Sequence, residues 1–173
     1  MASAANSMIE HVFVEGLKNA RALEHQALAL MDRQIDHLEN YPDVSDRLRS
    51  HRRETETQIE RLDHLLDDFD AQNSMLKEIA LSLTGNMAAI AHVFAPDEIL
   101  KNSFANYAFE NFEIASYQSL LTLADAGGFA QANAPLNTTL REEQAMAEWV
   151  RDALPRITLR YVDLKAAGQT AGH

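Results

Sequence analysis

The chain has 173 residues, 46% of them hydrophobic and 24% charged, with no cysteine and a formal net charge of −11. That length suits a single domain over 1–173 with a sizeable core. The missing cysteines exclude disulfides, thiolate zinc sites and cysteine nucleophiles. The acid surplus, with the basic cluster Arg47 to Arg53 interleaved with acids, excludes a phosphate-tracking nucleic-acid binder. No run approaches the ~18–20 apolar residues that span a bilayer, and residues 1–7 lack the pattern of a signal peptide. The expected setting is cytoplasmic, with no membrane and no nucleic-acid partner.

Ser7 is a candidate N-cap for a first long helix running to Asn40, where Tyr41-Pro42 ends it. Its inward line reads Ile9, Phe13, Leu17, Ala20, Glu24, Ala27, Met31 and Leu38, in steps near 3.6 residues. Glu24 interrupts the line, and by itself it also reads as a boundary residue paired with Arg21. A second helix begins near Asp43 and extends to about Ala71, with Leu48, His51, Thr55, Gln58, Leu62, Leu65 and Phe69 on one side. Its lower half is an apolar stripe and its upper half is polar. There His51, Glu54 and Gln58 can cluster, although Arg52, Arg53, Glu56 and Glu60 around them also fit a solvated face. For His51 alone the solvated face is the simpler reading.

Residues 73–93 read as a shorter additional helix, apolar on one side through Met75, Leu76, Ile79, Leu83 and Met87, and expected to cross the bundle end or meet another subunit. The next long helix opens at Ala95-Pro96-Asp97-Glu98, with acids where the helix dipole favours them, and closes at Gly127-Gly128. Its centre carries Glu110 and Glu113, three residues apart and so on one face. The apolar line continues through Tyr117, Leu120 and Ala124, which puts both carboxylates on the buried side or at its edge. Burying one unpartnered carboxylate costs several kcal/mol, roughly, so the pair calls for a cation, and a metal ion is the most compact. The last helix starts near Ala134-Pro135 or Asn137 and runs to about Gly168 along Leu136, Leu140, Glu143, Ala147, Val150, Leu154, Ile157, Tyr161 and Leu164. Only Glu143 interrupts it. Pro155 is predicted to kink or split this helix, and 166–173 to fray.

Four long helices with one short extra piece make an all-α four-helix bundle the natural architecture. Each long helix has a glutamate in or beside its inward stripe: Glu24, Glu54, Glu110 with Glu113, and Glu143. Facing carboxylates in a bundle core are how di-iron and di-manganese carboxylate proteins hold two ions, and hard oxygen ligands suit both metals.

Four stretches carry a family resemblance: Leu17-Lys18-Asn19 with Ala22-Leu23-Glu24-His25-Gln26; His51-Arg52-Arg53-Glu54-Thr55 with Gln58-Ile59-Glu60-Arg61-Leu62; Glu110-Asn111-Phe112-Glu113-Ile114-Ala115-Ser116-Tyr117; and Leu140-Arg141-Glu142-Glu143. Together they resemble the YciF-like branch of the ferritin-like superfamily, bacterial stress-associated proteins. The resemblance implies a ferritin-like bundle, commonly dimeric, with a carboxylate-rich metal site. Its expected ligands are Glu24, Glu54, Glu110, Glu113 and Glu143, with His51 or Gln58 nearby, holding two iron ions per subunit, or manganese, or one ion. Better-known ferritin-like enzymes place a His three residues after the Glu on the second and fourth helices; here those positions are Thr57 and Met146. Asn111 and Ala147 stand where relatives have His and an acid.

Two readings of function follow. One is an iron- or manganese-binding protein acting on oxygen, peroxide or iron. The other is a dimeric structural or interaction protein without a catalytic metal, its partner surface the short apolar helix. Hydrolase and nucleotide-binding readings find no Gly-x-Ser-x-Gly and no phosphate loop.

Overall fold

The computed structural model of the protein describes residues 2–72 and 98–172. The described residues form four helices and no strands: α1 (Ala2–Ile35), α2 (Pro42–Gln72), α3 (Glu98–Gly127) and α4 (Ala130–Ala166). The short helix predicted over 73–93 lies outside them.

Side-chain bonds between helices fix the topology. Arg21–Asp63 and Arg52–Asp32 run α1 antiparallel to α2. Gln34–Asn106 and Glu24–Tyr117 run α1 antiparallel to α3. Arg156–Asp43 and Gln58–Glu143 run α2 antiparallel to α4. It follows that α2 and α3 point the same way, so Gln72 and Glu98 lie at opposite ends of the bundle. This is the four-helix bundle expected from the periodicity.

Helix bounds differ from the sequence reading where tertiary contacts intervene. α1 starts at Ala2, before Ser7, and stops at Ile35 because Leu38 and Tyr41 turn inward and become buried. α4 starts at Ala130, ahead of Pro135. The cause is Phe129, whose ring packs 5.1 Å from Phe13 and 5.0 Å from Phe69, anchoring the chain where α4 begins. Pro155 does not split α4, which continues to Ala166. Pro155 removes one donor, that for the Arg151 carbonyl, and both residues lie on the exposed face where water can replace it.

α3 and α4 end alike. Gly128 and Gly168 take φ of 73° and 70°. Phe129 N–H then donates to the Ala124 carbonyl and Gln169 N–H to that of Leu164, the six-to-one bond of a Schellman cap. The second cap redirects the C-terminal residues, predicted to fray, back onto the bundle. Ala171 is buried. Tyr41 Oη donates to the Ala171 carbonyl at 2.7 Å, Asn40 Nδ2 to that of Thr170 at 2.9 Å, and Ile99 N–H to that of Gly172 at 2.8 Å. This last bond satisfies one of the open donors at the start of α3.

The interior is layered. At one end Phe13, Leu17, Leu62, Phe69, Leu120 and Leu136 form one apolar core. At the other, Met31, Tyr41, Leu48, Phe109, Val150 and Ile157 form a second. Between them, every helix turns a polar side chain inward.

Candidate metal centre

The polar layer consists of Glu24 from α1, His51, Thr55 and Gln58 from α2, Glu110 and Glu113 from α3, and Thr139 and Glu143 from α4, all buried. Helical periodicity puts them there. His51, Thr55 and Gln58 continue the face that carries Leu48 and Leu62, and Glu143 lies seven residues from Leu136 and from Val150. Thr55 needs no partner across the bundle, because its hydroxyl donates to the His51 carbonyl one turn back at 3.0 Å.

The charged members converge. His51 Nε2 stands 3.2 Å from Glu110 Oε2 and 3.6 Å from Glu143 Oε2. One ligand atom from each of these three residues lies within 4.8 Å of the other two, a spacing that can hold a metal ion. Gln58 Nε2 donates to Glu143 Oε1 and, at 3.1 Å, to Glu142 Oε2. Arg61 holds Glu142 from the other side with two bonds, of 2.6 and 2.9 Å. Tyr117 Oη donates to Glu24 Oε1.

What these bonds leave over is informative. Six buried oxygens of the layer have no hydrogen-bond partner: Glu24 Oε2, Gln58 Oε1, both oxygens of Glu113, and Glu110 Oε2 and Glu143 Oε2, whose ion-pair partner is the His51 ring they share. Buried acceptors in native folds are nearly always satisfied, so a concentration of orphans marks a missing partner, and for carboxylates that partner is cationic.

The electrostatics agree. Burial pushes the Glu113 carboxyl well above the usual carboxylate range, and the charges of Glu24, Glu143 and Glu110 push it further. Burial likewise raises Glu143, against the pull of His51. Glu24 rises from 4.5 to about 7 through burial, with the Tyr117 hydrogen bond opposing. For His51, burial disfavours the charged ring, but Glu110, Glu54 and Glu143 outweigh it and carry the pKa well above 6.5. The cluster is short of positive charge, and without a metal it makes up the deficit with protons.

Sequence reasoning placed Glu24, Glu110, Glu113, Glu143 and Gln58 in this layer, and all five are there. His51, which read alone as a solvated residue, is 1% exposed and supplies the only nitrogen of the three-residue group. Glu54 stands differently. It sits at the rim, its side chain 32% exposed, with Oε2 2.9 Å from His51 Nδ1 and Arg47 Nη1 bonded to both its oxygens. The hydrogen bond from His51 is the main cause that draws its carboxyl down to about 2, with Arg47 adding and burial opposing. Thr57 is exposed and bonds the Arg53 carbonyl, so the register that makes Glu-x-x-His an inward pair is not used on α2. Met146 belongs to the apolar core. Asn111 is exposed and donates to the Tyr107 carbonyl, away from the layer. Glu142 and Arg61 were not anticipated as part of the surroundings; their spacing on surface turns carries no signal.

The model of a family described as a domain of unknown function, DUF892, matches residues 8–163. The chain belongs to this family. Among its relatives, the protein YciF of Escherichia coli K12 is 31% identical over 148 residues, covering 79% of this chain and 84% of its own length. The crystal structure of the E. coli stress protein YciF superposes with a TM-score of 0.69 at 27% identity, covering 84% of this chain and 94% of that one. That of protein XCC3681 from Xanthomonas campestris pv. campestris gives 0.76 at 25% identity, with 91% and 99% covered. These findings agree with the YciF-like resemblance. Among the described residues, no helix is long and apolar enough to cross a membrane.

Proposed function

We propose that this DUF892 member is a metal-binding protein of the ferritin-like kind, holding iron or manganese in the polar layer between its two apolar cores. The observation that carries the reading is the set of six buried oxygens without a hydrogen-bond partner in one polar layer, two of them, on Glu110 and Glu143, facing His51 Nε2. Carboxylate oxygens with one imidazole suit iron(II) and manganese(II), and zinc as a probe. His51, Glu110 and Glu143 are the ligands of one ion. Glu113, with two free oxygens, and Glu24 and Gln58, with one each, are the donors for a second. Such ions supply redox chemistry toward dioxygen or peroxide. The chain's own contribution is to position the donors, hold protons on them when no metal is bound, and keep water out on both sides.

The family setting supports a role in stress physiology, since the E. coli relative is described as a stress protein, and cytoplasmic placement goes with it. The expected homodimer fits the same reading: Phe104 and Phe112, two turns apart on α3, are half-exposed and offer apolar contact area.

The test is metal analysis of protein purified without chelator and after anaerobic Fe(II) loading, beside Glu110→Ala and Glu143→Ala variants. One to two ions per chain, lost in both variants, is the expected result. No metal in the loaded wild type would overturn the reading and leave the bundle a structural protein.

A further inference from the structure

The rim residue Glu54 has an assignable task. A carboxylate oxygen accepts hydrogen bonds, so the 2.9 Å contact between Glu54 Oε2 and His51 Nδ1 requires a proton on Nδ1, and Nε2 is the nitrogen a metal would deprotonate. The ring's other nitrogen, Nε2, is the atom that faces Glu110 and Glu143. Glu54 is itself held: Arg47 Nη1 donates to its Oε1 at 3.3 Å and its Oε2 at 3.1 Å. Both oxygens are therefore engaged, on the ring edge away from the other carboxylates, and neither is among the orphaned atoms of the layer.

We infer that Glu54 is a positioning residue and not a metal ligand: with Arg47 behind it, it locks His51 in the Nδ1–H form and turns Nε2 toward the metal. Beside the Gln58 oxygen, α2 thus contributes one nitrogen ligand and its orienting carboxylate, where the sequence pattern suggested a glutamate ligand. Outer hydrogen bonds of this kind fix ring orientation and raise ligand basicity, and losing one lowers metal affinity by about 10- to 100-fold. The inference rests on the metal-binding reading above.

Zn(II) is the probe, because it is diamagnetic and accepts imidazole with carboxylates. Long-range proton–nitrogen NMR of the Zn(II)-loaded, nitrogen-labelled protein should show His51 protonated at Nδ1 and coordinated through Nε2. Competition titration should show Glu54→Ala binding the same number of ions as wild type, about 10- to 100-fold more weakly. Glu54→Gln should recover most of that loss, since its side-chain carbonyl still accepts from Nδ1–H. Loss of an ion in Glu54→Ala with no recovery in Glu54→Gln would make Glu54 a ligand and overturn the inference. So would coordination through Nδ1, or Glu54→Ala binding that matches wild type. Failure of wild type to bind Zn(II) would instead bring down the metal-binding reading, and this inference with it. Because Glu54 lies at the rim, both variants keep the layered core intact.

Discussion

Replacing Glu24 by Gln should stabilise the metal-free protein at alkaline pH while impairing metal uptake. Glu24 is 1% exposed and its pKa stands at about 7 instead of 4.5, with burial the main cause. A carboxyl raised on folding favours the folded state fully below pH 4.5, and that advantage disappears as pH climbs through 7. At 1.36 kcal/mol per decade, the folded state forgoes about 3 kcal/mol by pH 8. Glutamine is neutral throughout, keeps an oxygen to accept the Tyr117 hydroxyl, and puts an amide donor in place of the orphaned Glu24 Oε2. For a domain of this size each kcal/mol moves the melting temperature by roughly 2–4 °C. Thermal melts in EDTA should therefore place Glu24→Gln about 6–12 °C above wild type at pH 8 and close to it at pH 5. The same variant should bind Fe(II) or Mn(II) more weakly, having lost an anionic donor. Equal offsets at the two pH values, or a Gln variant less stable at pH 8, would show that Glu24 is not a strained acid awaiting a cation.

Glu54 should behave in the opposite sense. Its pKa is lowered to about 2, so its contribution is present above pH 4.5 and lost as pH falls toward 2. Being part-exposed, it is worth about 1 kcal/mol, and Glu54→Gln should melt lower than wild type at pH 6 but not at pH 2, by circular dichroism. Tyr41→Phe leaves the buried Ala171 carbonyl without its donor and should cost about 1–3 kcal/mol in urea unfolding. Phe69→Ala, in the triad with Phe13 and Phe129, should cost about 3–5 kcal/mol and leave metal stoichiometry unchanged, since its cavity opens away from the polar layer.

The bundle was legible because its helices are long and their apolar steps regular. Phe13, Leu17, Ala20, Glu24, Ala27 and Met31 all proved to be buried on one stripe. On α2 the same regularity extended through polar positions, and there composition misled: charged neighbours made His51 look solvated, whereas period alone placed it correctly. Helix ends were less legible because long-range contacts set them. Nothing within a few residues of Pro135 announces that Phe129 is gripped by two rings from other helices. The clustering of His51 with Glu54 was legible from their spacing, but the place of Glu54 at the rim, held by Arg47, was not, since sharing a helix face does not say which side chain points inward. One hint was available: Arg47 lies a heptad before Glu54, a distance that an arginine on the same face can bridge.

The clasp made by 170–172 has a bearing on how the molecule is built in time. Tyr41 and Ala171 are 130 residues apart in sequence, and Ile99 receives its carbonyl only from Gly172. Contacts of such separation are slow to form, because a long loop has to close first. During synthesis the α1–α2 hairpin and α3 would already be outside the ribosome while the groove over Tyr41 still lacked its filler. A nascent or prematurely terminated chain therefore stays open at that end, its apolar core reachable by water, chaperones or proteases. Residues 170–172 act as the seal on the bundle, and they are made long after the helices they close.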